Sequence, residues 1–117
     1  MAHVLVVDDN DLVRKLLQRE LEAEGFSVAV AVDGDDGLEK FQHQPFDLII
    51  CDVFMPNEGA IGVVQGVRNV APEIPIIVMT AADLTQEQIA SVLGPVHPIF
   101  KPFRTPQLLA LMRECLR

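Results

Sequence analysis

The chain contains no tryptophan, no tyrosine and only two cysteines, and it has nine basic residues against seventeen acidic ones. Cys51 and Cys115 are too few for the multi-bridge framework that stabilises small secreted proteins. The formal net charge of −8 argues against a nucleic-acid partner, because phosphates are bound by clustered Lys and Arg. The same charge argues against docking on an anionic membrane surface.

Long apolar runs and a basic leader segment are also absent. No run approaches the roughly 20 apolar residues that a bilayer-spanning helix needs. The chain reaches Asp8 and Asp9 before any signal-peptide pattern develops. These absences predict a cytoplasmic protein. Half of the 117 residues are apolar, which is a globular composition, and the length predicts a single domain over residues 1–117.

Five short apolar runs rich in Val and Ile predict β-strands. They lack strict alternation with polar residues, which is typical of strands buried on both faces of a parallel sheet. The intervals between them are long enough for a helix. The expected fold is α/β, a doubly wound, flavodoxin-like parallel sheet of five strands in the order 2-1-3-4-5 with five helices. The predicted strands are Val4–Val7, Val28–Val32, Leu48–Cys51, Ile76–Met79 and Val96–Phe100.

Five segments carry helix signals. The first is capped by Asp11 or Asn10, and Thr105 before a proline is the expected N-cap of the last. In the third, Gly62 and Gly66 share one face, which is either tolerated noise or a place where that helix approaches the sheet closely. With their caps, the predicted segments are Asp11–Glu24, Asp35–Gln44, Ala60–Val70, Thr85–Leu93 and Thr105–Leu116.

Polar side chains follow four of the predicted strands at their carboxyl ends. Asp8 and Asp9 follow the first strand, and Asp52 follows the third. Thr80 follows the fourth strand and Lys101 the fifth. Ligands of open α/β sheets bind beyond these ends, where the strand order reverses, which here lies between strands 1 and 3. Each residue alone could be a turn, a cap or a surface charge, but their coincidence predicts a functional site.

The chemistry of these residues suits a phosphoryl group and a cation. Three converging carboxylates repel one another and raise one another's pKa values, a cost that a divalent cation removes. An all-oxygen ligand set suits Mg²⁺, whereas the three histidines are scattered and do not favour zinc. The Lys101 ammonium and the Thr80 hydroxyl are suited to holding phosphoryl oxygens. A carboxylate can act as the nucleophile by forming an aspartyl-phosphate.

Four motifs carry these residues in a specific order and spacing. They are VLVVDD (Val4–Asp9), DLIICDVFMP (Asp47–Pro56), IIVMTA (Ile76–Ala81) and FKPF (Phe100–Phe103). Together they resemble the receiver domain of bacterial two-component response regulators, including its single-domain chemotaxis members. The resemblance covers the chain from Val4 to Leu116.

The resemblance implies that Asp52 is the phosphoacceptor and takes a phosphoryl group from the phosphohistidine of a histidine kinase or phosphotransfer protein. Asp9, Asp52 and the backbone carbonyl of Phe54 would ligate Mg²⁺, with Asp8 assisting. Such a protein is not an enzyme with a separate substrate. It is a switch that catalyses its own phosphotransfer and dephosphorylation.

The resemblance also implies how phosphorylation is sensed. Lys101 would contact a phosphoryl oxygen, and Thr80 would move toward the phosphoryl group and report it to the surface. The Lys101–Pro102 peptide bond is expected to be cis. A downstream partner would bind the face built from the fourth helix, the fifth strand and the last helix, that is Gln86–Leu93, Val96–Phe100 and the segment after Thr105.

The chain departs from the family pattern in three places. The usual Asp-Gly pair after the second motif is replaced by Gly59 and Ala60, and the usual switch aromatic three residues before Lys101 is Pro98. The interval from Thr80 to Lys101 is also slightly short, which predicts a compact fourth helix. These departures concern the signalling step more than the phosphorylation chemistry.

Three other functions are compatible with parts of the pattern. Pro98 favours a receiver-like adaptor that binds partners without phosphorylation. A phosphatase-type enzyme with a nucleophilic Asp is disfavoured, because the position of its second Asp, two residues on, is Phe54. Flavin binding at the switch point is disfavoured because the acidic run Asp8–Asp11 would repel the flavin phosphate.

Overall fold

The computed structural model describes residues 2–55, 59–81 and 84–117, so Pro56 of the second motif lies outside the described residues. Five strands form one sheet in the order β2-β1-β3-β4-β5, and every neighbouring pair is parallel. The predicted strand number, direction and order are confirmed. The strands are β1 (His3–Val7), β2 (Ser27–Ala31), β3 (Leu48–Asp52), β4 (Ile76–Ala81) and β5 (His97–Lys101).

Helices cover both faces of this sheet. The described residues form five helices, α1 (Asp11–Ala23), α2 (Gly34–His43), α3 (Gly59–Val70), α4 (Gln86–Leu93) and α5 (Thr105–Cys115). On one face, α1 and α5 pack against strand residues such as Val4 and Val6. On the other, α2, α3 and α4 pack against strand residues such as Leu5 and Val7. Successive strand residues point to opposite faces, which is why β1 is apolar throughout.

Three predicted helix boundaries are confirmed by their local geometry. Gly25 follows α1 with φ of +95°, a left-handed conformation that favours glycine. The N-cap of α4 is Thr85, whose hydroxyl accepts from the backbone N–H of Gln88 while the Gln88 side chain accepts from the N–H of Thr85. Gly94 is the C-cap of α4, which has eight residues and is as compact as expected.

The N-cap of α1 is Asn10, not Asp11. The Asn10 Oδ1 accepts from the backbone N–H groups of Leu12 at 3.0 Å and Val13 at 3.2 Å. Asp11 is the first helical residue, where its negative charge suits the positive end of the helix dipole.

The N-cap expected at Thr105 is wrong, because Thr105 is the first residue of α5. The residue before it is Arg104, whose backbone N–H donates to Gln107 Oε1 at 2.7 Å. The Thr105 hydroxyl instead donates to the carboxylate of Glu20 in α1. A tertiary hydrogen bond between α1 and α5 thus replaces the local cap.

Two features of helix packing refine the expected pattern. The leucines at positions 12, 16, 17 and 21 recur at helical spacing in α1, but only Leu17 and Leu21 are buried, whereas Leu12 and Leu16 are 78% and 50% exposed. In α3, a Cβ on Gly66 would overlap a methyl group of Leu38 in α2. The close approach at Gly66 is therefore to a neighbouring helix and not to the sheet.

The strands run further toward the site than expected. Asp52 is the last residue of β3, Thr80 lies within β4, and Lys101 is the last residue of β5. Their backbones are therefore held by the sheet rather than by loops, which fixes the directions of their side chains. No helix in the described part of the chain is long and apolar enough to cross a bilayer.

Candidate functional site

Three carboxylates meet beyond the carboxyl ends of β1 and β3. Oxygen atoms of Asp8, Asp9 and Asp52 all lie within 4.8 Å of one another. The two strands are direct neighbours, and Val7 is paired with Cys51. The register therefore brings together Asp8, which follows Val7, and Asp52, which follows Cys51. The convergence predicted for these three residues is confirmed.

Asp8 is the most deeply buried member of the cluster, at 1% exposure. Its Oδ1 accepts from the backbone N–H of Asn10 at 2.8 Å, whereas its Oδ2 is buried and finds no hydrogen-bond partner among the described residues. Burial raises the pKa of Asp8, and the charges of Asp52 and Asp9 raise this pKa further, against the opposing effects of the Asn10 N–H and Lys101. A cation would remove this cost.

Lys101 supplies the positive charge of the site. Its Nζ donates to Asp52 Oδ1 at 3.1 Å. The Asp52 side chain is 8% exposed and the Lys101 side chain 40%, so solvent screens the pair and it adds about 1 kcal/mol or less to stability. The ammonium is nevertheless placed where a group attached to Asp52 would meet it.

Thr80 is fully buried at the end of β4. Its hydroxyl donates to the backbone carbonyl of Ala81 over a long 3.4 Å, and within the described ranges no hydrogen bond joins it to the three aspartates. The β4–β5 register places Thr80 opposite Phe100 and Ala81 opposite Lys101. The Thr80 hydroxyl is therefore weakly held, on a strand that is paired directly with the strand carrying Lys101.

The donor set fits Mg²⁺. Within the described residues the cluster contains carboxylates only, with no His or Cys, and a buried carboxylate oxygen without a partner is available at Asp8. Cys51 is adjacent in sequence but is wholly buried, and burial raises its thiol pKa far above the usual range. It is a core residue and not a ligand or nucleophile.

The other expected residues take these positions. Phe54 lies in the segment after β3 and is 56% exposed. The role of its backbone carbonyl as a Mg²⁺ ligand stays a prediction. The Lys101–Pro102 peptide bond is cis, as the resemblance implies. Pro98 is half-buried in β5 opposite Val78, so the usual aromatic position is occupied by a residue that cannot rotate into the core.

Sequence reasoning missed one residue at this site. Arg14 of α1 donates from Nη1 to the backbone carbonyl of Asp8 at 2.7 Å and from Nη2 to Asp11 Oδ1 at 2.5 Å. The spacing of Asp11 and Arg14, three residues apart on a predicted helix, was a signal for the ion pair. Nothing in the sequence pattern indicated the second bond to Asp8.

Comparisons with known proteins agree with this geometry. The profile of the family described as "Response regulator receiver domain" matches residues 4–113. The response regulator MprA of Mycobacterium sp. (strain KMS) is 37% identical over 117 residues, and the uncharacterized transcriptional regulatory protein YkoG of Bacillus subtilis (strain 168) is 32% identical. Each match covers 99% of this chain and 51% of the relative, so the chain spans about half the length of these curated relatives.

Solved structures show the same likeness over the whole domain. Vibrio cholerae chemotaxis protein CheY4 superposes with a TM-score of 0.90 at 33% identity, covering 99% of both chains. The response regulator protein TrrA of Thermotoga maritima, solved in complex with Mg²⁺–BeF, gives a TM-score of 0.88 at 30% identity and covers 99% of this chain and 100% of that one. The chain belongs to the receiver domain family of two-component response regulators, which are phosphoacceptor switches that bind Mg²⁺ at an acidic pocket.

Proposed function

We propose that Asp52 accepts a phosphoryl group from the phosphohistidine of a sensor histidine kinase or phosphotransfer protein, and that this changes the affinity for a downstream partner. The observation that carries the proposal is the position of the Asp52 carboxylate, within 4.8 Å of Asp8 and Asp9 oxygens and 3.1 Å from the Lys101 ammonium. A nucleophile flanked by a cation site and a fixed cation suits phosphoryl transfer.

Asp8, Asp9, Asp52 and the Phe54 carbonyl would hold Mg²⁺. The bound ion would supply charge neutralisation for the phosphoryl oxygens. The Asp8 Oδ2, which has no hydrogen-bond partner among the described residues, supports this role, because a buried carboxylate oxygen without a donor is costly unless a cation meets it. Asp9 is exposed and would close the site on its solvent side.

In the transfer, an Asp52 carboxylate oxygen attacks phosphorus as the bond from phosphorus to the histidine nitrogen breaks. The imidazole leaves with that bonding pair and takes up a proton. Lys101, now paired with Asp52 Oδ1, would move its charge to a phosphoryl oxygen. The chain thus performs its own phosphorylation, and hydrolysis by water would later restore Asp52.

The output step would start at Thr80. Its hydroxyl donates to the Ala81 carbonyl over a long 3.4 Å, so a phosphoryl oxygen on Asp52 would be a better acceptor. Because β4 is paired with β5 through Thr80 and Phe100, a shift there would reach the output face, which consists of α4, β5 and α5. We propose that the downstream partner binds this face. We also propose that residues 1–117 form one receiver domain, which acts in the cytoplasm and contacts neither nucleic acid nor a membrane.

One observation favours a second function, a receiver-like adaptor that binds its partner without phosphorylation. Pro98 is half-buried at the position of the switch aromatic and has no side chain that can change rotamer between two states. An adaptor would retain the acidic pocket, but its affinity for the partner would not depend on whether the pocket is phosphorylated. The two functions differ in whether chemistry at Asp52 changes the output face.

Beryllofluoride with Mg²⁺, an analogue of the phosphoryl group, tests the two functions. We expect amide chemical-shift changes at the pocket and along the output face, because Thr80 and the β4–β5 pairing connect them. Mg²⁺ alone and fluoride alone are the controls and should affect only the pocket. Shifts at the pocket without any on α4, β5 or α5 would support the adaptor, and shifts confined to α2 would contradict the proposed face.

Replacing Lys101 with Ala should slow phosphorylation by acetyl phosphate by about 10²-fold, the usual loss when one charged donor is removed from a transferring group. The variant should still fold, because the Lys101 side chain is 40% exposed and acts in the pocket through its charge. Lys101→Arg should also fail, since a planar fork does not replace a compact ammonium. Lys15→Ala, at a 73% exposed side chain, is the matched control. Normal phosphorylation of both Lys101 variants would show that Lys101 has no role in phosphoryl transfer.

A further inference from the structure

The guanidinium of Arg14 spans the turn between β1 and α1. One arm donates to the backbone carbonyl of Asp8 at 2.7 Å, and the other donates to the carboxylate of Asp11 at 2.5 Å. The Arg14 side chain is only 12% exposed, although that of Asp11 is 65% exposed. The ion pair with the exposed Asp11 does not by itself explain why the Arg14 side chain is so deeply buried.

The second interaction is with the peptide unit that joins two predicted Mg²⁺ ligands. The Asp8 N–H donates to the carbonyl of Ala31 at the end of β2, at 3.2 Å. The β1–β2 register ends at Val7 and Ala31, so the Asp8 carbonyl lies beyond the last registered pair and accepts from Arg14 instead. Because a peptide unit is planar, holding this carbonyl also fixes the plane that leads into Asp9.

We propose that Arg14 is a positioning residue for the Mg²⁺ site, an inference that rests on the proposed function. By holding the Asp8–Asp9 peptide unit, it keeps the exposed Asp9 carboxylate directed toward the buried Asp8 carboxylate. Without it the Asp8 carbonyl would lose its donor, and Asp9, which is exposed, would be free to turn away. Outer-shell partners of this kind orient metal ligands and set metal affinity.

Arg14 could instead act through its charge, and the two roles predict opposite results. A cation near a Mg²⁺ site weakens Mg²⁺ binding by repulsion, so removing only a charge would tighten binding. Removing a positioning contact would weaken it. Arg14→Met keeps the aliphatic stem without charge or donors, and Arg14→Lys keeps the charge but cannot reach both acceptors with a planar fork.

Mg²⁺ titrations followed by amide chemical shifts at residues 8–10 and 52–55 measure the affinity of each variant. We expect Arg14→Met to weaken Mg²⁺ binding by about tenfold and Arg14→Lys to weaken it by less. Arg113→Met is the matched control, because it removes the same charge from an exposed ion pair with Glu24, far from the site, and should leave the affinity unchanged. Melting temperatures in EDTA verify folding, and Arg14→Lys carries the test if Arg14→Met unfolds.

The outcomes separate this inference from the proposed function. Equal affinities for wild type and both Arg14 variants would overturn the positioning role alone. Tighter binding by Arg14→Met with unchanged binding by Arg14→Lys would also overturn it, in favour of a charge effect. A wild-type protein without Mg²⁺-dependent shifts at these residues would overturn both the site and the role of Arg14.

Discussion

Replacing Asp52 with Asn should abolish phosphorylation by a histidine kinase or by acetyl phosphate. The amide cannot form an acyl phosphate, and among the three clustered aspartates Asp52 alone is paired with the Lys101 ammonium. The variant should fold, since Asn has the same shape and can still accept from Lys101. Phosphopeptide mapping of the wild type should locate the label at residue 52, and the variant should incorporate none above background.

The choice of control decides how much this result means. Asp47→Asn makes the same chemical change at an exposed aspartate that accepts from the backbone N–H of His3, next to the start of β1. It should be phosphorylated like the wild type. A wild-type label on Asp8 or Asp9 would contradict the assignment of Asp52, and so would an Asp52→Asn variant labelled at the wild-type rate.

The positions of Asp8, Asp52 and Lys101 could be predicted from sequence because they depend on few facts. Apolar runs on both sides of a helix indicate parallel strands, and parallel strands bring their carboxyl ends to one edge. A one- or two-residue error in strand length does not move this edge. Thr80 was expected after β4 and lies within it, yet it still faces the same end of the sheet.

Features that depend on tertiary contacts could not be predicted in this way. Thr105 has the residue type and the following proline of an N-cap, but Glu20 of α1 accepts its hydroxyl. Leu12 and Leu16 fit the helical period and yet lie on the exposed side, because α5 and the sheet cover only the stripe of Leu17 and Leu21. Sequence spacing describes the helix and not what packs against it.

The electrostatics of the site could also be predicted only in part from the sequence. Sequence predicts that repulsion among converging carboxylates raises at least one pKa. The pKa of Asp8 is raised, first by burial and then by the charges of Asp52 and Asp9. Sequence does not indicate which carboxylate bears the cost. The structure identifies Asp8, because its Oδ2 is buried and unpartnered within the described residues, whereas Lys101 compensates Asp52. The strongest metal-free effect should therefore come from residue 8.

Asp8→Asn should stabilise the metal-free protein at neutral pH by at least about 1 kcal/mol, the usual cost of an unsatisfied buried acceptor. Asn retains an oxygen for the Asn10 N–H, and its NH₂ group can donate to Asp9 or Asp52. The same change removes a proposed Mg²⁺ ligand. Wild type should gain about 2.7 kcal/mol from Mg²⁺ at a hundredfold excess over its Kd, on the order of 10 °C in Tm, and Asp8→Asn should gain far less.

The pH dependence has a definite sign. The folded pKa of Asp8 is raised above the ordinary value of 3.8, so its contribution to stability is fully present below that value. The contribution is lost as pH rises through the folded pKa and Asp8 ionises in its buried position. In EDTA, the advantage of Asp8→Asn over wild type should therefore be absent in acid and grow toward neutral pH.

Thermal melts of wild type and Asp8→Asn, in EDTA and in Mg²⁺ and from acid to neutral pH, measure the stability gain without metal and the loss of the Mg²⁺ response. Asp52→Asn is the comparison variant. That variant also lacks a proposed ligand, so it should lose the Mg²⁺ response, but it removes the negative charge that pairs with Lys101 and should gain less stability in EDTA than Asp8→Asn. If the two variants melted together in EDTA, the cost would belong to mutual repulsion and not to the burial of Asp8. Full Mg²⁺ stabilisation of Asp8→Asn would show that the buried Oδ2 of Asp8 does not face the ion.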